Sequence, residues 1–152
     1  MIKPFRYTWQ MLDEDVKTFL TQMDFRNYTK ILAVANGALP LLTKLANATK
    51  KPYDIVKCVS YENTQQLPDM RIFFTNLGGC AKNESVLIID DVADTGNTLK
   101  AITNKLKSYG TNGDSCDIEY LTLCYKPKST IIPHWYIHEI PDDTWIEFPW
   151  EM

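Results

Sequence analysis

At 152 residues and a formal net charge of −3, the chain has room for one domain with a sizeable core and lacks the basic excess usual in a nucleic-acid binder. Apolar residues make up 45% and charged residues 23%, which argues against disorder. No apolar run approaches the roughly 18–20 residues of a membrane span, and the opening Met1-Ile-Lys-Pro-Phe-Arg-Tyr7 has no apolar segment of signal-peptide type.

Trp9, Leu12, Val16, Phe19, Leu20 and Met23 recur at helical spacing, which predicts an amphipathic helix packed on a sheet. Lys30-Ile-Leu-Ala-Val-Ala35 predicts a buried strand, ending at Asn36-Gly37-Ala38 before an apolar helix carrying Leu39, Leu41, Leu42 and Leu45. A third element, Tyr53 to Tyr61, reads as a strand. The polar, Pro-containing stretch from Glu62 to Asp69 reads as a loop, and Met70 to Thr75 as a β segment.

Val86-Leu-Ile-Ile89 is continuously apolar, as in a strand buried on both faces of a parallel sheet. Asp90 and Asp91 follow, then Val92-Ala93, then the loop Asp94-Thr95-Gly96-Asn97-Thr98, then a helix carrying Leu99, Ile102 and Leu106. Asp117 to Tyr125 supplies another strand, closed by Lys126-Pro127. Trp135-Tyr-Ile137 and the tail Ile140-Pro-Asp-Asp-Thr-Trp145-Ile146-Glu-Phe-Pro-Trp150-Glu151-Met152 complete the chain. His134 and His138 lie in what reads as an extended segment, ~13 Å apart and too far for one metal ion. Cys58, Cys80, Cys116 and Cys124 form no Cys-x-x-Cys pair. Cys58 and Cys124 sit in apolar runs, so reduced thiols and a cytoplasmic setting are expected.

Strands alternating with helices predict a single α/β domain over 1–152, with a doubly wound, mainly parallel sheet. In such a sheet the two strand–glycine–helix turns converge at the carboxyl edge, where ligands bind. The first turn of a helix leaves its N–H groups unpaired, Gly96 lets the loop curl, and Thr95 and Thr98 add hydroxyls. Asp94 to Thr98 is therefore suited to one phosphate. Carboxylates beside a phosphate would repel it, so Asp90 and Asp91 make more sense facing sugar hydroxyls or a metal ion. Adjacent strand residues face opposite sides, so both aspartates can serve one ligand only if the strand has ended at Asp90.

Ile88-Ile-Asp-Asp-Val-Ala-Asp-Thr-Gly-Asn-Thr98 resembles the ribose-phosphate signature of the type I phosphoribosyltransferases, which bind 5-phosphoribosyl-1-pyrophosphate. The tail from Ile140, the Lys126-Pro127 step and Thr8-Trp9-Gln-Met-Leu12 are similar to the bacterial xanthine–guanine members of that family, which commonly extend beyond the position of Met152. The resemblance implies a type I phosphoribosyltransferase fold with a small hood formed by the terminal segments. It also implies a purine-salvage reaction, in which a 6-oxopurine (xanthine, guanine or hypoxanthine) displaces pyrophosphate to give a nucleoside monophosphate.

By that likeness Asp94, beside the purine N7, is the catalytic acid or base. Asp90, Asp91, Asp94, Thr95, Gly96, Asn97 and Thr98, with Asn36 and Gly37 of the pyrophosphate loop, bind the sugar donor. Lys126 donates to the 6-oxo group, Trp145 stacks on the ring, and the Ile146 backbone reads the 2-substituent. Ser60-Tyr61 matches the pair that precedes a mobile lid. Mg²⁺ is the implied cofactor, with Asp91 and Glu151 as the acidic residues nearest it. A homo-oligomer, dimer or tetramer, is implied, with no nucleic-acid or membrane partner. Asn36 departs from the pattern, since relatives usually carry Arg or Lys there. An amide dipole in place of a cation leaves the leaving group to Mg²⁺ and backbone N–H groups, or leaves turnover weak. The alternative is a non-catalytic module of the same fold that senses phosphoribosyl pyrophosphate.

Overall fold

The computed structural model describes residues 3–61, 69–75, 83–108 and 116–151. In chain order the elements are β1 (Phe5–Arg6), α1 (Trp9–Gln22), β2 (Lys30–Ala35), α2 (Leu39–Thr49), β3 (Tyr53–Tyr61), β4 (Asp69–Phe74), β5 (Ser85–Ala93), α3 (Asn97–Ser108), β6 (Asp117–Tyr125), β7 (His138–Glu139) and β8 (Ile146–Glu147). Short 3₁₀ turns lie at Phe25–Asn27 and Pro149–Glu151. Six strands form one sheet in the order β4-β3-β2-β5-β6-β7. Among the described residues only the β3–β4 pair of this sheet is antiparallel. β1 and β8 pair in parallel as a separate two-stranded hood.

Local chemistry accounts for the helix starts. Thr8 caps α1, its hydroxyl accepting from the Met11 amide at 3.1 Å. α2 has no side-chain cap but carries Pro40 in its first turn, where the missing N–H is no loss.

The strands then sort their side chains by parity. Leu87 and Ile89 of β5 join one core with Leu12, Phe19, Leu41, Leu45 and Phe148, under α1, α2 and the hood. Val86 and Ile88 join the other core with Leu99, Ile102 and Leu106 of α3. Each fully buried Leu or Ile here contributes about 1.5–3 kcal/mol. The sheet is thus covered on both faces, as the continuous apolar run in β5 requires.

Several expectations need correction. β5 does not end at Asp90 but runs on to Ala93, because β6 keeps pairing with it at Asp90↔Thr122, Val92↔Cys124 and Ala93↔Tyr125. The segment around Trp135 is a bridge to Leu121, and the β7 strand begins only at His138. Trp9 and Leu20, placed on the apolar stripe of α1, are exposed, whereas Asp15 on that stripe is buried. Cys58 and Cys124 are free thiols, as expected, but Cys116 is disulfide-bonded. Among the described residues no helix is long and apolar enough to cross a membrane.

Candidate active site

Chain direction across the sheet reverses between β2 and β5, and the loops leaving those two strands flank the resulting crevice. After β2 the Ala35–Asn36 peptide is cis. The turn closes with Ala38 N donating to Val34 O at 2.9 Å and Leu39 N to Asn36 O at 3.1 Å. Gly37 lies against the neighbouring loop's acid: a Cβ there would come within 2.6 Å of Asp91 Cγ and 2.8 Å of its Oδ1. Only glycine permits that approach.

After β5 the chain curls through Gly96 at φ +85° and enters α3. Among the described residues no acceptor takes the amides of Thr95, Gly96 or Thr98, while Asn97 N donates to Thr95 Oγ1 at 3.2 Å. A cavity of about 230 Å³ opens on these groups, lined by Asp90 to Gly96, Thr98 and Leu99. Unclaimed amides at a helix start, beside threonine hydroxyls, form an anion cradle.

The cradle is held from outside by a turn that the sequence did not single out. Lys126-Pro-Lys-Ser129 is a β-turn, Ser129 N donating to Lys126 O at 2.9 Å, with Pro127 at the position that favours its fixed φ. Thr130 N donates to Thr95 O at 2.9 Å, and the turn's far end encloses Gly96. Lys126 is buried and its Nζ lies 3.6 Å from Asp94 Oδ2. Lys128 Nζ lies 3.0 Å from Asp94 Oδ1, an ion pair without hydrogen-bond alignment. Lys126-Pro127 marked the end of the strand, but nothing in the sequence told which way the second lysine would face.

Asp90 and Asp91 are both buried and both line the cavity, although they leave opposite faces of a strand that has not yet ended. Each fixes the next amide: Asp91 N donates to Asp90 Oδ1 and Val92 N to Asp91 Oδ1, both at 2.8 Å. Burial pushes the Asp90 carboxyl well up, with the adjacent Asp91 charge adding to it. Burial also raises Asp91, offset in part by hydrogen bonding from Asp90 and Glu151. Glu151, in the last turn of the chain, is pushed up to about 7 by desolvation and by the Asp91 charge. Burial and crowding thus make charge on these carboxyls costly, a cost that a bound cation would relieve.

A stability consequence follows in magnesium-free buffer. Below its ordinary value of 4.5 Glu151 is protonated folded or unfolded. Between there and about 7 only the folded chain keeps the proton, so stability falls as pH rises through that window and levels above it. E151Q is expected to flatten part of that fall, as read from urea denaturation at about pH 5 and about pH 8. An unchanged slope would remove Glu151 from the cluster.

The remaining expected residues are more scattered. Asn36 is exposed and, among the described residues, bonds nothing in the cavity through its side chain. Trp145 is 71% exposed, so it is no core residue, while the Ile146 side chain is buried in the hood. Phe5 N donates to Trp145 O at 2.8 Å and Tyr7 N to Glu147 O at 2.9 Å, which fixes the hood's backbone. Ser60 and Tyr61 end β3, but their side chains and the expected lid after them lie outside the described residues. His138 Nε2 meets Asp15 Oδ2 at 2.8 Å, and Tyr7 donates to the same oxygen at 2.6 Å. His134 Nδ1 instead accepts from Tyr120 N at 3.0 Å. Asp15 stands at α1's apolar spacing from Leu12 and Phe19, a signal of burial that the sequence did carry.

Open amides at a helix start after a central parallel strand, with an acidic pair just before them, are suited to a sugar-phosphate ligand in a sheet of the doubly wound class. Residues 8–152 match the phosphoribosyl transferase domain, and the chain belongs to that family. It is 26% identical to the xanthine-guanine phosphoribosyltransferase of Idiomarina loihiensis, over 99% of this chain and 88% of that one. It is 29% identical to the protein of the same name from Nitratidesulfovibrio vulgaris, over 98% and 85%. Among solved structures it superposes on the purine phosphoribosyltransferase of Pyrococcus horikoshii with a TM-score of 0.82 and 26% identity, covering 99% of this chain and 95% of the other.

Proposed function

We propose that this chain transfers the phosphoribosyl group of 5-phosphoribosyl-1-pyrophosphate to a 6-oxopurine in purine salvage. The base nitrogen N9 forms the bond to the anomeric carbon, the bond to pyrophosphate breaks, and the proton lost by the base passes to Asp94. The observation that carries this reading is the set of open amides at Thr95, Gly96 and Thr98, next to the buried Asp90 and Asp91. Those amides suit the 5′-phosphate. The two carboxyls suit ribose hydroxyls and keep negative charge near an electron-poor sugar. Lys126, drawn from its pairing with Asp94, suits the 6-oxo group. Exposed Trp145 offers a ring face for stacking.

Mg²⁺ fits the residues present. Among the described residues no cluster of three or more ligating side chains is poised to hold a metal. This ion is commonly held by one or two carboxylates together with substrate phosphates, and Asp91 with Glu151 supplies the carboxylates. When bound, Mg²⁺ supplies charge neutralisation for the departing pyrophosphate. Free thiols at Cys58 and Cys124 accord with a cytoplasmic setting, whereas the disulfide at Cys116 argues the other way. A homodimer or homotetramer is proposed from the family resemblance of the sequence alone.

The test is a spectrophotometric screen of purine and pyrimidine bases with the sugar donor and Mg²⁺. Turnover of guanine, xanthine or hypoxanthine but not of orotate or uracil is expected. The exposed Asn36, standing where a cation is usual, favours a second reading as a donor-sensing module. Tight donor binding without turnover of any base would establish that reading instead.

A further inference from the structure

Asp94 is claimed by two cations from a single turn. Lys126, at the first position of Lys126-Pro-Lys-Ser129, approaches Oδ2 at 3.6 Å with a side chain only 7% exposed. Lys128, two residues on, approaches Oδ1 at 3.0 Å with a side chain 42% exposed. The turn that carries both is held at several points. Its closing hydrogen bond joins Ser129 to Lys126, Lys126 N donates to Ala93 O at 3.0 Å, and Lys128 N donates to Asp142 Oδ1 at 2.8 Å in the segment leading to Trp145. Lys128 therefore stands between the strand end that carries Asp94 and the segment that carries the hood.

We infer that Lys128 is a positioning residue for base recognition: it holds Asp94 through Oδ1, so that Lys126 can leave Oδ2 and donate to the base carbonyl. The inference rests on the reading of the site as a 6-oxopurine phosphoribosyltransferase. A buried lysine needs a counter-charge, and a carboxylate with one cation gives it up reluctantly. With Lys128 in place, moving Lys126 onto the substrate leaves no bare charge on Asp94. Without Lys128, the base competes with Asp94 for its sole remaining cation. Each partner of the Lys128–Asp94 pair is more than a third exposed, so the pair adds little to stability. Its effect belongs to the liganded enzyme.

The test compares wild type, K128M and K128R in initial-rate assays with base and donor varied separately. K128M is expected to raise the base KM by about tenfold while leaving the donor KM, the urea midpoint and most of kcat as in wild type. K128R, which keeps the charge, is expected to restore the base KM. A base KM unchanged in K128M overturns the inference, as does a parallel rise in donor KM or a fallen urea midpoint. In those cases wild-type turnover still upholds the family reading. A wild type that turns over no base overturns both together.

Discussion

D94N is expected to lower turnover of guanine and hypoxanthine by about 10²–10⁴-fold, the usual worth of a positioned acid or base. The amide keeps the shape of the carboxylate but cannot accept the proton that the base must lose. Lys126 and Lys128 would both face a neutral group in place of a charge. The variant should fold at some cost in stability, because buried Lys126 loses its counter-charge and Asp94 Oδ1 is closed to solvent. Circular dichroism and single-turnover rates with saturating donor make the comparison. Rates near wild type would take Asp94 out of the proton step and leave it as a counter-ion for the lysines alone.

The second large effect is expected at Gly96. Its φ of +85° is costly for any side chain, and a Cβ there would lie 2.6 Å from Thr130 Oγ1, 2.8 Å from Ile131 N and 2.9 Å from Ser129 Oγ. One of those atoms is backbone, so no rotamer change can relieve it. G96A should therefore cost about 2–4 kcal/mol of stability from backbone strain and overpacking together. It should also push the cradle off the 129–131 segment and raise the donor KM by at least tenfold, about 1.4 kcal/mol of lost binding. Denaturant unfolding checks the first expectation and donor titration the second. An Ala variant as stable as wild type, with an unaltered donor KM, would show that the loop rearranges freely and is no rigid anion cradle.

Much of this arrangement was legible in the residues. β3 and β6 have the bounds that hydrophobic patterning predicts, because their apolar runs are flanked by clear breakers. The curl of the loop was legible too, since Asp-Thr-Gly-Asn-Thr places a glycine where the chain turns left-handed. β5 was misjudged at its end because polarity argued for a stop, whereas the ladder to β6 continued regardless of side-chain type. A strand's length depends on its neighbour, and one run of sequence does not contain the neighbour. The burial of Asp15 was readable from its spacing on α1, but its ring partner was not. Its partners Tyr7 and His138 come from the two ends of the chain, and His138 is 123 residues away. Lys128 escaped because a turn's second lysine looks the same whether it meets water or a carboxylate. Trp145 went the other way: an aromatic in an apolar tail could have been core, and its exposure decides otherwise.

The two-stranded pairing of β1 with β8 has an entropic consequence. It joins Phe5 to Ile146 and Arg6 to Glu147, and the last two, also linked by an ion pair, are 141 residues apart in the chain. Closing so long a stretch is rewarded only after the central sheet already holds its ends close together. The hood is thus expected to be the latest portion to lock and the earliest to breathe, whereas the loop after β5 follows a strand paired on both sides. Under the proposed function, a nucleotide product is expected to loosen first at the hood while the sheet beneath it stays paired.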